Sequence, residues 1–269
     1  MRDPSISIIV PALNEEHGLA PSVRAAQSAL DDLCPYEIII LDDGSRDRTG
    51  AIAEDLAAND SRIRVVHNPS TLGIGASYRR GVELARCEYV LWIPADDETP
   101  AHTIRAIGRR AGTADVVLTH TLNWYIRPMH RWILSHLYTA IVNVLFGLRL
   151  RYYNGNCLIR TTALRTITLD TFGFSYMTAI IVRLLRQGYS YAEIGITLQP
   201  RGGGGSTALR LRSFIDVARS IGKLWWEVRV RPVVRPGRLA VAAPREAPSS
   251  SATERAGGAN SVSARDAEP

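Results

Sequence analysis

Ile8-Ile9-Val10-Pro11-Ala12-Leu13-Asn14-Glu15-Glu16 and Ile38-Ile39-Ile40-Leu41-Asp42-Asp43-Gly44-Ser45 are two apolar runs that each end in polar groups. Apolar runs of this kind fit strands covered on both faces, the condition of a parallel sheet with helices on either side. In such open α/β sheets ligands bind beyond the carboxyl ends of the strands, so polar groups there face a ligand and not the core. Asp42 and Asp43 are neighbouring carboxylates whose repulsion is tolerated only where donors or cations compensate it. Ribose hydroxyls and a base N–H are donors of that kind. Taken singly, Asn14 or Asp47 reads as a capping residue of its turn; the two strings together outline a nucleotide site.

Outward from them, strand patterns at 6–10, 37–41, 63–67, 89–93 and 115–119 alternate with helical patterns at 18–33, 49–58, 76–85 and 103–111. That alternation predicts a mostly parallel sheet with helices on both faces. After Thr119 the pattern changes to a long apolar helix over 129–147, a turn at Asn154-Gly155-Asn156, a short strand at 157–159, a helix over 174–186 and a strand over 189–196. The expected organisation is a nucleotide-binding half over 1–120, an acceptor half over 121–208, a basic amphipathic helix over 209–231 and a disordered tail over 232–269, where Pro, Arg, Ala, Ser and Gly dominate.

Four further segments carry chemistry. Trp92-Ile93-Pro94-Ala95-Asp96-Asp97-Glu98 ends the fourth strand, and its three acidic residues can hold a divalent cation bridging a diphosphate. Alone, such a string reads as an exposed turn; beside two nucleotide motifs the metal reading prevails. Gly73-Ile74-Gly75 fails the full Gly-x-Gly-x-x-Gly dinucleotide spacing because position 78 is Tyr. Arg201 precedes four glycines, 202–205, which read either as a plain linker or as a mobile loop closing on a phosphate with the arginine supplying charge. From Leu209 to Arg235 apolar residues share one helical face with bases elsewhere and Trp225 and Trp226 near the end, the pattern of an interfacial helix or of one docked on the domain.

The bulk properties narrow the classes. The chain has 269 residues, 46% hydrophobic and 22% charged, enough for one substantial core. A net charge of +6 suits nucleic acid, anionic lipid or phosphorylated substrates. No nucleic-acid reading module accompanies it, and bases beside tryptophans suit anionic lipid better, so no nucleic-acid partner is expected. Cys34, Cys87 and Cys157 lack the spacing of a zinc site or a disulfide framework, which fits a reducing compartment. Neither an apolar leader nor an uninterrupted apolar run of membrane-spanning length is seen. The expected location is cytoplasmic, peripheral on the inner face of the cell membrane. Nothing in the sequence sets the oligomeric state.

Val10-Pro11-Ala12-Leu13-Asn14-Glu15-Glu16 followed by Leu41-Asp42-Asp43-Gly44-Ser45-Arg46-Asp47-Arg48-Thr49 resembles the opening of the family 2 glycosyltransferases, and the resemblance continues through 68–81 and 89–100. It implies the GT-A fold, a Rossmann-like nucleotide-sugar-binding sheet, and within the family it is similar to polyprenyl-phosphate hexose synthases such as dolichyl-phosphate mannose synthase. By that resemblance Pro11, Ala12, Asn14, Glu15, Asp42, Asp43 and Ala95 line the nucleotide, and Arg79 or Arg80 neighbours its phosphates. Asp96 and Glu98 hold Mg²⁺ or Mn²⁺, although Pro94 replaces the first Asp of the metal motif. Arg201 belongs to a loop that folds over the diphosphate. Arg131, with Arg127 and Ser135 nearby, meets the phosphate of a lipid acceptor, or else merely flanks an apolar helix. The implied activity is inverting sugar transfer from a nucleotide-diphosphate sugar to a polyprenyl phosphate. Transfer to a glycan or small-molecule hydroxyl, with Asp97 as base, and a non-catalytic nucleotide-binding role are the alternatives.

Overall fold

The computed structural model describes residues 4–126, 128–169, 173, 175–200 and 211–230, the side chains of the last segment over 217–229. Seven strands form one sheet: β1 (Ile6–Ala12), β2 (Tyr36–Asp42), β3 (Ile63–His67), β4 (Tyr89–Trp92), β5 (Val116–Thr121), β6 (Leu158–Arg160) and β7 (Tyr191–Ile196). Its order is β3-β2-β1-β4-β6-β5-β7. The helices are α1 (Leu19–Leu30), α2 (Thr49–Asn59), α3 (Ile74–Leu84), α4 (Ala101–Gly108), α5 (Met129–Phe146), α6 (Thr161–Leu164), α7 (Tyr176–Gln187) and α8 (Leu211–Val230).

The alternation of side chains along a strand explains why the runs read as continuous. On β1 and β2, Ile8, Val10, Ile38 and Ile40 enter a core with α1, α2 and α4, represented by Val23, Ala53 and Ile104. Ile9, Ile39 and Leu41 enter the opposite core with Tyr78 of α3, Val142 of α5, Ile180 of α7 and Ile221 of α8. Both faces are thus covered, as parallel strands require. The buried Ser7 is accommodated because its hydroxyl donates to Glu37 Oε1 at 2.7 Å and accepts Cys87 N–H at 3.1 Å.

The sheet is parallel except at β6, which runs antiparallel to both β4 and β5. This three-residue strand separates β4 from β5 and joins the two halves of the chain in one sheet. More consequential is the placement of β1 between β2 and β4, parallel to both. The chain winds outward to β3 and then crosses back to β4 on the far side of β1, so a crevice opens at the carboxyl ends of β1 and β4.

The expected elements are present with ends shifted by a few residues; the short helix α6 and a 3₁₀ turn at Trp124–Ile126 are additions. The C-terminal amphipathic segment is α8, and the tail over 232–269 lies outside the described residues.

Helix α3 lies so close to β1 that a Cβ on Gly81 would stand 2.7 Å from Ile9 Cγ2. Gly81→Ala is expected to destabilise the fold by about 1–3 kcal/mol through overpacking, read as a lower midpoint in urea unfolding with an unchanged slope.

Candidate active site

The carboxyl ends of β1, β2 and β4 converge on a cleft of about 510 Å³. Pro11, Ala12 and Glu15 line it from β1, Asp43 from β2, and Pro94, Ala95, Asp96 and Glu98 from β4. The far wall comes from the second half of the chain: Thr119 and Thr121 of β5, Tyr152, the Asn154-Gly155-Asn156 turn, and Ile196 and Leu198 at the end of β7.

Asp43 is 4% exposed, and its carboxylate is fully engaged by the loop entering α3. Oδ1 accepts from Asn68 Nδ2 at 2.7 Å and Leu72 N–H at 2.9 Å, and Oδ2 accepts from Gly73 N–H at 2.8 Å. Gly73 takes φ of +92°, a conformation glycine adopts without strain, and so aims its N–H at the carboxylate. Asp43 N–H in turn donates to Ala12 O at 2.9 Å. The loop, β2 and β1 are therefore laced at one point beside the cleft.

Asp42, its neighbour, does not line the cleft. Successive side chains at a strand end point to opposite sides, and the Asp42 carboxylate faces β3, where Oδ1 accepts Ser45 N–H at 3.0 Å and Oδ2 meets His67 Nδ1 at 2.8 Å. Burial raises the Asp42 pKa, but the hydrogen bonds from Ser45 and His67 outweigh it, holding the carboxyl below its usual value. His67 lies between Asp42 and Glu54, and both hold its imidazole above the usual histidine value. Asn14 is likewise outside the cleft. It is exposed with φ of +54°, and its Oδ1 accepts Arg46 N–H at 2.8 Å while its own N–H donates to Ser45 Oγ at 3.0 Å. Asp42 and Asn14 thus build the turns that present the site.

The acidic turn after β4 is held in place from two directions. Ser22 Oγ accepts Asp97 N–H at 2.9 Å, and Gln199 donates from its amide to Asp97 O at 2.6 Å and from its backbone to Glu98 O at 2.9 Å. Asp97 sits at φ of +58°, outside the cleft lining, and burial raises its pKa. Gly18, at the start of α1, presses against this turn, and a Cβ there would collide with Ala95 O and approach Asp96 Cα to 3.0 Å. Asp96 Oδ1 accepts Glu98 N–H at 3.2 Å, which keeps the two carboxylates on one small loop.

Two neutral lining residues have buried polar atoms without a hydrogen bond: Trp92 Nε1 and Thr119 Oγ1. Gly155 packs over the Thr119 hydroxyl so closely that a Cβ there would collide with it. Nearby, Asn156 Nδ2 donates to Trp92 O and Thr99 Oγ1, each at 3.2 Å. Arg80 does not reach the cleft; it bonds Asn68 Oδ1 and caps the same loop that Asp43 holds, while Arg79 pairs with Glu83 at 3.7 Å. Arg131 sits half-buried in the first turn of α5, beyond the lining. Arg201 and Arg127 lie outside the described residues.

The Asp42–His67 pair has a pH signature. Asp42, lowered, contributes stability above about pH 3.8 and loses it as pH falls through its folded value. His67, raised, contributes fully below about pH 6.5 and loses it as pH rises through its folded value. The contact is therefore fullest between these limits. Asp42→Asn is expected to lower the His67 pKa toward its ordinary value, measured by NMR titration of the imidazole.

The sequence profile described as Glycosyl transferase family 2 matches residues 7–169. Among curated proteins, glycosyltransferase AglD of Haloferax volcanii is 28% identical over 242 residues, covering 84% of this chain and 38% of that protein. Polyprenol monophosphomannose synthase of Mycolicibacterium smegmatis is 29% identical over 211 residues, covering 72% of this chain and 77% of that protein. The chain spans well under two thirds of the archaeal relative. A crystal structure of glucosyl-3-phosphoglycerate synthase from Mycobacterium tuberculosis, in complex with Mn²⁺, UDP and phosphoglyceric acid, has the same fold, with a TM-score of 0.61, 17% identity, and coverage of 85% of this chain and 80% of that one. With residues 7–169, more than half of the chain, matching that profile and containing the ends of β1, β2 and β4, the chain belongs to glycosyl transferase family 2.

Proposed function

We propose that the chain transfers a sugar, with inversion at the anomeric carbon, from a nucleotide-diphosphate sugar to a polyprenyl phosphate at the cytoplasmic membrane surface. The observation that carries this reading is the convergence of Glu15, Asp43, Asp96 and Glu98 on one cleft at the switch point of the sheet. Family membership supports the donor class. The name of the mycobacterial relative, a polyprenol monophosphomannose synthase, supports the acceptor class.

In this reading the nucleotide lies along Pro11, Ala12, Glu15 and Asp43, with Ala95 beneath the diphosphate and the sugar toward Thr119 and Trp92. Asn14 and Asp42 support the nucleotide only by shaping its turns. The acceptor phosphate attacks the anomeric carbon in line and the nucleoside diphosphate departs. A phosphate is already ionised near neutral pH, so no strong base is required. Arg201, two residues beyond the Gln199 that bonds the acidic turn, offsets charge on the departing diphosphate, and Arg131 receives the acceptor's phosphate.

Asp96 and Glu98 are the residues that would hold Mg²⁺ or Mn²⁺. Among the described residues no group of three His, Cys, Asp or Glu is placed to hold a metal ion. Two carboxylates fit a hard cation that keeps waters and takes phosphate oxygens as ligands, not one held by protein alone. Such an ion supplies Lewis-acid stabilisation of the diphosphate.

The test is nucleoside diphosphate release from a panel of nucleotide sugars, with and without Mn²⁺ and with a polyprenyl phosphate or a hydroxyl acceptor. Release that depends on the lipid phosphate is expected. Release only with the hydroxyl acceptor would overturn the acceptor, and binding without release would mark a nucleotide-binding protein without catalysis. In the same assay Arg201→Ala is expected to lower kcat much more than nucleotide affinity; equal losses would remove its assigned role.

A further inference from the structure

Helix α5 is apolar on the side that faces away from the core. Its buried side chains are Thr139, Val142 and Phe146. Met129, Ile133, Leu137, Ile141 and Val144, spaced three or four residues apart and so aligned in one stripe, are exposed, Leu137 to 56% and Val144 to 82%. The 3₁₀ turn just before it leaves Trp124 51% and Tyr125 73% exposed, with the Trp124 ring 5.9 Å from that of Trp132. A contiguous patch of this kind is a docking surface, unlike scattered apolar residues.

Its position and charge narrow the partner. Thr121 and Leu198 line the cleft, and Asn123, between Thr121 and the aromatic turn, donates to Leu198 O at 2.7 Å and accepts Leu198 N–H at 3.1 Å, so the aromatic end of the patch starts at the cleft rim. Helix α5 contains no Asp or Glu and carries His130 and Arg131 in its first turn. Helix α8 packs on α5 and α7, burying Ile221 and Leu224, while Arg219, Lys223, Trp225, Trp226 and Arg229 are exposed. Its Glu227 is paired with Arg183 at 2.8 Å. Apolar stripe, rim tryptophans and surrounding cations match a surface that is apolar beneath and anionic on top. The sequence over 231–269 holds only Val233, Val234, Leu239, Val241 and Val262 as large apolar residues, too few to cover the patch.

We propose that the outward face of α5, with the exposed tryptophans of α8, docks on an anionic lipid bilayer surface and sets the cleft rim against it. No helix among the described residues is long and apolar enough to cross a membrane, so the contact lies in the interface. The reason for the cleft to face lipid rests on the lipid-phosphate reading of the function; the binding itself does not.

Co-sedimentation of the full chain with vesicles tests this, comparing phosphatidylcholine alone with phosphatidylcholine containing phosphatidylglycerol. Wild type is expected to prefer the anionic vesicles. Ile133→Glu/Leu137→Glu and the uncharged Ile133→Ser/Leu137→Ser are both expected to weaken binding at least about tenfold, the scale of losing two buried apolar side chains, with nucleotide-sugar affinity and thermal midpoint unchanged. Absence of vesicle binding, equal binding by the variants, or indifference to lipid charge would overturn the proposal. So would a wild-type dimer that both variants convert to monomer without any vesicle binding, which would assign the face to a second copy. Vesicle binding that persists in a protein that binds no nucleotide sugar would instead sink the transferase reading alone.

Discussion

A buried carboxylate needs donors, and Asp43 finds three of them in one loop. Asn68, Leu72 and Gly73 all turn N–H groups toward it, which fixes the path of the chain into α3 and the shape of the crevice between β1 and β4. Burying a charge without such compensation is prohibitive, so the loop and the strand end are set together. Arg80 reinforces the same arrangement through Asn68, which places a cation behind the loop and not in the cleft. Each remaining wall of the site is positioned relative to this corner.

The second constraint is the close approach of Gly18 to the Ala95–Asp96 backbone. It draws the acidic turn of β4 over the start of α1 and within the same cleft as Glu15. Gln199 then ties the end of β7 to that turn, so the carboxylates of the first half and the neutral polar wall of the second half share one rigid frame. Preorganised groups of this kind cost little reorganisation when charge develops on a leaving diphosphate. The outward stripe of α5 begins a few residues past Thr121 of the same frame, which links lipid contact to the mouth of the site.

Much of the fold was legible because each apolar run ended in a distinct polar string, so β1, β2 and β4 announced both their extent and their functional ends. The order of strands was not, since β6 inserts as three residues, Leu158–Arg160, whose pairing depends on contacts far along the chain. Within the site, the carboxylates were legible but their directions were not. Asp42 and Asp43 are chemically alike, and only the pleat decides which faces the cleft. Asn14 shows the same ambiguity, its side chain being drawn to the backbone of Arg46. Trp92 and Asn156 showed in the sequence only as parts of an acidic string and a turn, and Thr119 as a strand residue, because neutral side chains carry no spacing signal for a cleft wall. The α5 face escaped notice because its apolar run, interrupted by Ser135, His136, Thr139 and Asn143, does not by itself reveal which side is covered.

The central claim is that the cleft at the ends of β1, β2 and β4 is where an activated sugar nucleotide binds. Hydrogen–deuterium exchange in the presence and absence of the nucleotide sugar that supports product release tests it directly. The account predicts slowed exchange in segments 12–16, 43–45, 73–77 and 95–99. Protection confined to other segments, or a bound ligand that leaves these four unchanged, would contradict it.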